Sequence, residues 1–160
     1  MYRIFLVEDD PIIAQTVQQH LESWGWQVKA AADFADVMTE FAAFDPQLVL
    51  LDIGLPVYNG YHWCGEIRKV SRVPVIFLSS ASDNMNIVMA MHMGGDDFIP
   101  KPFDLNVLTA KVQALLRRIF QASWLNLSPS TRSWYCWTSA CLYTMVSTGA
   151  VKYARSPKCR

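Results

Sequence analysis

The sequence predicts an α/β fold, a doubly wound parallel sheet with helices on both faces, and three observations carry that prediction. Strand-like and helix-like patterns alternate five times across the first 120 of the 160 residues. The strong strands are continuous apolar runs, not alternating ones, as a parallel sheet covered on both sides requires. The segments between them are long enough for helical crossovers, which wind right-handed. The chain length suits one domain of ordinary size.

Ile4-Phe5-Leu6-Val7 opens the chain as a buried strand. Asp10-Pro11 then supplies a cap and first-turn proline for a helix with Ile13, Val17, Leu21 and Trp24 on one face, ended by Gly25. Residues 28–31 read as a weaker, part-polar strand suited to an edge, and residues 34–43 as a helix. Leu48-Val49-Leu50-Leu51 and Val75-Ile76-Phe77-Leu78 are the next buried strands, separated by a helix over 61–70. A helix over 84–93 and a short strand over 97–99 follow. Asp104 caps the last helix, whose Leu105, Leu108, Val112, Leu115 and Ile119 recur at helical spacing.

After Phe120 the pattern fails. Residues 123–160 hold seven Ser, four Thr, three Trp and three Cys with no period of 3.6 or 2. Charge divides at the same place: residues 1–104 carry all fourteen acidic residues against six Lys/Arg, a net −8, and residues 105–160 carry eight Lys/Arg and no acid. Overall, 52% of residues are hydrophobic and 18% charged, which excludes global disorder. No run approaches a membrane span, and the N-terminus lacks a signal-peptide pattern, so a cytoplasmic protein without membrane contact is expected. The late cysteines form no Cys-x-x-Cys pair, which makes a poor zinc site.

In open parallel sheets, ligands bind at the carboxyl ends of the strands, so the residues following each strand matter most. Glu8-Asp9-Asp10 follows the first strand, Asp52 the third, Ser79-Ser80 the fourth and Lys101-Pro102 the fifth. Asp10 reads as a helix cap. Glu8, Asp9 and Asp52 brought together would repel by ~4 kcal/mol per pair at 4 Å and an effective dielectric of 20. A divalent cation relieves that repulsion, and all-oxygen ligation without nearby His or Cys selects Mg²⁺. A carboxylate beside Mg²⁺ and a lysine is equipped to attack a phosphoryl group.

Four motifs then resemble one family. Leu6-Val7-Glu8-Asp9-Asp10, Asp52-Ile53-Gly54-Leu55-Pro56 with Gly60, Phe77-Leu78-Ser79, and Gly94-Gly95-Asp96-Asp97-Phe98-Ile99-Pro100-Lys101-Pro102-Phe103 stand in the order and spacing of the receiver domain of two-component response regulators. The last motif, continuing to Leu116-Arg117-Arg118, is similar to the OmpR-type subfamily. The Met-rich stretch over 84–95 further resembles its bacitracin and antimicrobial-peptide response group. The resemblance implies a five-stranded sheet in the order 2-1-3-4-5 and a receiver over residues 1–120. It implies that Asp52 accepts a phosphoryl group from a sensor histidine kinase and that Asp9, Glu8, Asp52 and the Gly54 carbonyl hold Mg²⁺. Lys101 contacts the phosphoryl group, and the following proline, Pro102, is cis. Ser79 is the switch hydroxyl, with Ser80 the alternative, and Phe98 is the aromatic that changes rotamer. Such a chain is a phosphoacceptor that catalyses only its own modification, not an enzyme.

The same resemblance implies dimerisation on phosphorylation through the fourth helix, fifth strand and fifth helix. Asp97 with Lys111 and Asp96 with Arg118 match two of the family's charged pairs, and Ile87 with Val107 replaces a third. OmpR-type regulators continue into a winged-helix domain that reads DNA. Residues 121–160 lack its pattern and are expected to form no domain, either aberrant (frameshifted) or disordered. DNA binding is disfavoured for this chain. The alternative is a complete DNA-binding regulator in which the tail contributes contact. His20, His62 and His92 read as structural or surface residues, Cys64 as packed, and Met85, Met89, Met91 and Met93 as gap-fillers or a partner surface. A haloacid-dehalogenase-type enzyme would need a second acid where Gly54 stands. A flavodoxin-like cofactor binder would need a phosphate loop where Glu8-Asp9-Asp10 stands.

Overall fold

Strand and helix alternate five times in the computed structural model, which describes residues 1–80 and 84–125. In chain order these are β1 (Arg3–Val7), α1 (Pro11–Ser23), β2 (Gln27–Ala30), α2 (Val37–Phe44), β3 (Leu48–Asp52), α3 (Gly60–Val70), β4 (Val75–Ser79), α4 (Asn84–His92), β5 (Asp97–Pro100) and α5 (Leu105–Leu125). The strands form one parallel sheet in the order β2-β1-β3-β4-β5. The apolar runs explain the order: residues 4–7, 48–51 and 75–78 have no exposed surface, and they make the three central strands.

Both faces are covered. Phe5, Val7, Val49, Leu51, Val75 and Phe77 pack with Phe41 of α2 and with Trp63 and Ile67 of α3. Ile4, Leu6, Leu50, Ile76 and Leu78 alternate with them along the strands, so they face the other side. Val17 and Leu21 of α1 and Leu108, Val112 and Leu116 of α5 are also buried. His20 Nε2 meets the buried Thr109 Oγ1 at 3.0 Å, tying α1 to α5.

Several element ends differ from the sequence pattern. The first helix stops at Ser23, so Trp24 is its cap, half-exposed and stacked on Trp26, not part of its buried face. Gly25 follows with φ +79°, a turn that a Cβ would strain. The second helix begins at Val37 instead of residue 34, because Asp33 and Asp36 each accept a nearby backbone N–H, from Ala35 and Thr39, and hold the chain in turns. The fourth helix ends at His92 and leaves Met93 outside, before Gly94 with φ +95°. The last helix runs past Ile119 to Leu125.

Met1–Arg118 make one compact unit. Of the second, Ile119–Arg160, the residues beyond Leu125 lie outside those described, and with them most of the tail expected at 121–160. Among the described residues, no helix is long and apolar enough to cross a membrane.

Candidate functional site

The strand order reverses between β1 and β3, which run out to the same edge beside one another and are then continued to opposite sides of the sheet. Glu8 and Asp9 follow the first of these strands, and Asp52 ends the second. One carboxylate oxygen from each of the three lies within 4.8 Å of the others. Asp10 is not in this group. Its carboxylate accepts the N–H groups of Ile12 and Ile13 as the cap of α1.

Lys101 enters from the end of β5. Its backbone N–H donates to the Ser79 carbonyl at 2.7 Å, and the Lys101–Pro102 peptide is cis. The ammonium donates to Glu8 Oε1 at 2.7 Å and to Asp52 Oδ2 at 2.9 Å. These groups are dry, with side-chain exposures of 14% for Lys101, 0% for Glu8 and 7% for Asp52. Asp9 faces solvent.

Burial, the largest influence, pushes the Glu8 carboxyl above its ordinary range. The Asp52 charge adds to it, and the Lys101 hydrogen bond only partly offsets both. For Lys101, burial pulls the other way, but the hydrogen bonds and charges of the two carboxylates outweigh it and raise the pKa. A lysine raised in the fold contributes stability below its ordinary pKa, which is lost only as pH rises through the raised value. The ammonium is therefore charged throughout the neutral range.

Three carboxylates against one ammonium leave a formal charge of −2 when all are ionised. Glu8 Oε2 is buried and has no hydrogen-bond partner, although a buried carboxylate oxygen normally has one. An orphaned buried oxygen, two more carboxylates and no His or Cys in the group are what a hard divalent cation requires. The residues therefore fit Mg²⁺. Gly54 donates its N–H to Asp52 Oδ1 at 3.1 Å and holds that carboxylate in place.

The other residues singled out in the sequence lie nearby or on a separate face. Ser79 is buried at the end of β4, which pairs with β3 one position before it, at Asp52 and Leu78. Ser80 follows it and is exposed. The Phe98 side chain is buried among the apolar residues of the sheet. Within the chain, Asp97 forms an ion pair with Lys111 at 2.6 Å and Asp96 one with Arg68 at 2.9 Å. Asp96, Asp97, Val107, Lys111 and Arg118 line one shallow groove. Val107 is half-exposed, whereas Ile87 packs partly into the core.

Gly60 gained no physical role from the sequence beyond its place in a motif. It is the first helical residue of α3, and a Cβ there would stand 2.2 Å from the Asp52 carbonyl oxygen and 3.0 Å from Ile53 Cα. The glycine lets α3 begin directly on the acceptor's backbone. The only signal in the sequence was a glycine just after Asn59, the residue that caps this helix.

A family model described as the response regulator receiver domain matches residues 4–113. The chain is 50% identical over 120 residues to the uncharacterized transcriptional regulatory protein YvcP of Bacillus subtilis (strain 168), covering 75% of this chain and 51% of that protein. It is 46% identical over 119 residues to the response regulator protein GraR of Staphylococcus aureus (strain JH9), covering 74% of this chain and 53% of that protein. The solved N-terminal domain of the nisin resistance regulator NsrR, a lantibiotic response regulator, superposes with a TM-score of 0.68 at 48% identity, over 72% of this chain and 98% of that one. The chain thus spans about half the length of the curated relatives it matches.

Proposed function

Because the chain belongs to the response regulator receiver domain family, we propose that it accepts a phosphoryl group on Asp52 from a sensor histidine kinase. The observation that carries this reading is the Lys101 ammonium, shared at 2.7 and 2.9 Å between Glu8 and Asp52 at the sheet's switch point. An oxygen of the Asp52 carboxylate attacks phosphorus, the donor's N–P bond breaks, and the imidazole nitrogen leaves with that electron pair. Lys101 stands where it can pair with a phosphoryl oxygen as negative charge moves onto Asp52. Glu8, Asp9, Asp52 and the Gly54 carbonyl would hold Mg²⁺, which supplies charge neutralisation for the transferring oxygens. Ser79 is then the hydroxyl that meets the new phosphoryl oxygen, and Phe98 the ring that follows it. The chain acts as an acceptor and catalyses only its own modification and hydrolysis.

Incubation with a small phosphodonor such as acetyl phosphate, followed by weighing the intact protein, tests this. One phosphoryl adduct is expected with Mg²⁺ and none above background after EDTA. An adduct equally strong in EDTA would refute the cation's part.

The α4–β5–α5 face is the proposed output surface, used in self-association after phosphorylation. Asp96 and Asp97 are already paired within the chain, so charged contacts between copies require partner exchange. An exposed ion pair is worth only ~0–1 kcal/mol, so dimerisation should depend weakly on salt. Sedimentation of the beryllofluoride-treated protein at low and high salt is expected to give dimers in both. A monomer in both, or dimers only at low salt, would contradict it. DNA contact by residues 121–160, the alternative reading, falls mostly outside the described residues. Transcription regulation is stated in the name of a relative about twice as long as the matched segment.

A further inference from the structure

Four of the seven methionines, Met85, Met89, Met91 and Met93, lie on α4 or just after it. The inner side of this helix is occupied. Ile87 and Ala90 pack against the core, Tyr61 Oη of α3 donates to the Asn86 carbonyl at 3.2 Å, and Arg68 donates to the Gly94 carbonyl at 2.6 and 2.8 Å. The other side faces outward. Met85, Val88 and Met89 are 74%, 64% and 44% exposed. With the exposed His92 they stand at i, i+3, i+4 and i+7, the spacing of one helix stripe. Met91 is exposed as well, so three of the four methionines fill no gap in the core. Asn84–His92 contains no Asp, Glu, Lys or Arg.

Sulfur chemistry distinguishes this stripe from an ordinary apolar patch. A thioether needs no deprotonation to react, so access decides which methionine is oxidised. Met38 packs partly into the core. Cys64 is buried, and burial pushes its thiol up, away from the reactive thiolate. Among the described residues, the exposed sulfurs are those of Met1, Met85, Met89 and Met91. Hydrogen peroxide delivers one oxygen to such a sulfur. The sulfur lone pair attacks a peroxide oxygen, the S–O bond forms as the O–O bond breaks, and the second oxygen leaves as water. Sulfur loses two electrons and the peroxide gains them. A flexible apolar side chain becomes a polar one with a new hydrogen-bond acceptor.

We propose that Met85 and Met89 are an oxidant-sensitive modification site, whose sulfoxides disable the contact of this face with a second copy of the chain. The proposal rests on the self-association proposed above and adds its regulation. A second copy is the occupant because the same face carries charges of both signs. Asp96 and Asp97 share a groove with Lys111 and Arg118, so two copies related by a two-fold axis present opposite charges to each other alongside the apolar stripe. An apolar contact does not accommodate a new acceptor without a partner. Burying one costs a factor of about ten or more in an equilibrium constant.

Peptide masses of the full chain are the first arm, taken after hydrogen peroxide and then dithiothreitol, which reverses disulfides and leaves sulfoxides. Met85 and Met89 should gain oxygen before Met38 and Met93. Sedimentation of the beryllofluoride-treated protein in Mg²⁺ is the second arm. Oxidation should raise the dimer's dissociation constant by about tenfold or more, and methionine sulfoxide reductases should restore it. The double variant Met85→Leu/Met89→Leu conserves side-chain volume and still carries Met1 and Met145. It should dimerise equally before and after peroxide. Oxidation of Met85 and Met89 no sooner than Met38, dimers indifferent to oxidation, or a double variant as sensitive as the wild type would each overturn the proposal. Should the unoxidised wild type stay monomeric, the self-association reading fails and the blocked contact fails with it, while the peptide masses still decide the modification site.

Discussion

Replacing Asp52 with alanine is expected to abolish the phosphoryl adduct while leaving the domain folded. Loss of acceptance should be complete because, among the described residues, no other carboxylate is placed in the same way. Asp9 is exposed, and Glu8 is fully buried with one oxygen taken by Lys101. Retention of the fold follows from the charge balance. Lys101 keeps Glu8 at 2.7 Å after the substitution, so no ammonium is left buried and alone. The Asp52 charge is one of the influences holding the Glu8 pKa up, so that pKa should fall towards its ordinary range in the variant. Intact mass with acetyl phosphate, paired with a thermal melt, measures both consequences. An adduct that persists in Asp52→Ala would show that another residue is the acceptor.

Gly60→Ala is expected to be the most damaging single-methyl change near the site. The added carbon would meet the Asp52 carbonyl oxygen at 2.2 Å, the Asp52 carbonyl carbon at 3.0 Å and Ile53 Cα at 3.0 Å. All three are backbone atoms of β3 or its end, so no flexible side chain can yield. Relief requires moving α3 or the acceptor itself. Overpacking of this kind costs about 1–3 kcal/mol, a drop of several degrees in Tm for a domain of this size. Because the displaced atoms belong to Asp52, phosphorylation should slow as well, by at least about tenfold if near-attack geometry is lost. Gly54→Ala is the control, since its Cβ would meet only the Asp52 carboxylate at 3.8 and 3.9 Å. Equal stability and equal rate in Gly60→Ala would contradict the close approach.

The central strands were legible because burial on both faces leaves no room for polar residues. Three four-residue apolar runs therefore announce β1, β3 and β4 within one residue at either end. The acidic group was legible for a related reason: the polar residue that first interrupts such a run lies at the end of its strand, where the site must be. Residue type alone could not show that Glu8 and Asp52 share one ammonium, or that Glu8 Oε2 is left without a partner. Those facts depend on how the end of β5 delivers Lys101. The start of α2 was misread because two aspartates, Asp33 and Asp36, both offer caps, and the choice between them is made by hydrogen bonds to Ala35 and Thr39. Arg68 and Tyr61 gave no signal at all. A basic residue in a last helical turn and an aromatic in a first turn are ordinary, and their partners are carbonyls of α4 and of the turn after it.

The proposed chemistry has one direct test, because an aspartyl phosphate is an acyl phosphate and its carbonyl is open to hydride. Protein treated with acetyl phosphate and Mg²⁺, reduced with borohydride and digested, should carry homoserine at position 52. Untreated protein and protein treated in EDTA should retain aspartate there. Homoserine at position 9 in place of 52, or a phosphoryl group that resists reduction and maps to Ser79 or a histidine, would contradict the assignment of Asp52 as the acceptor.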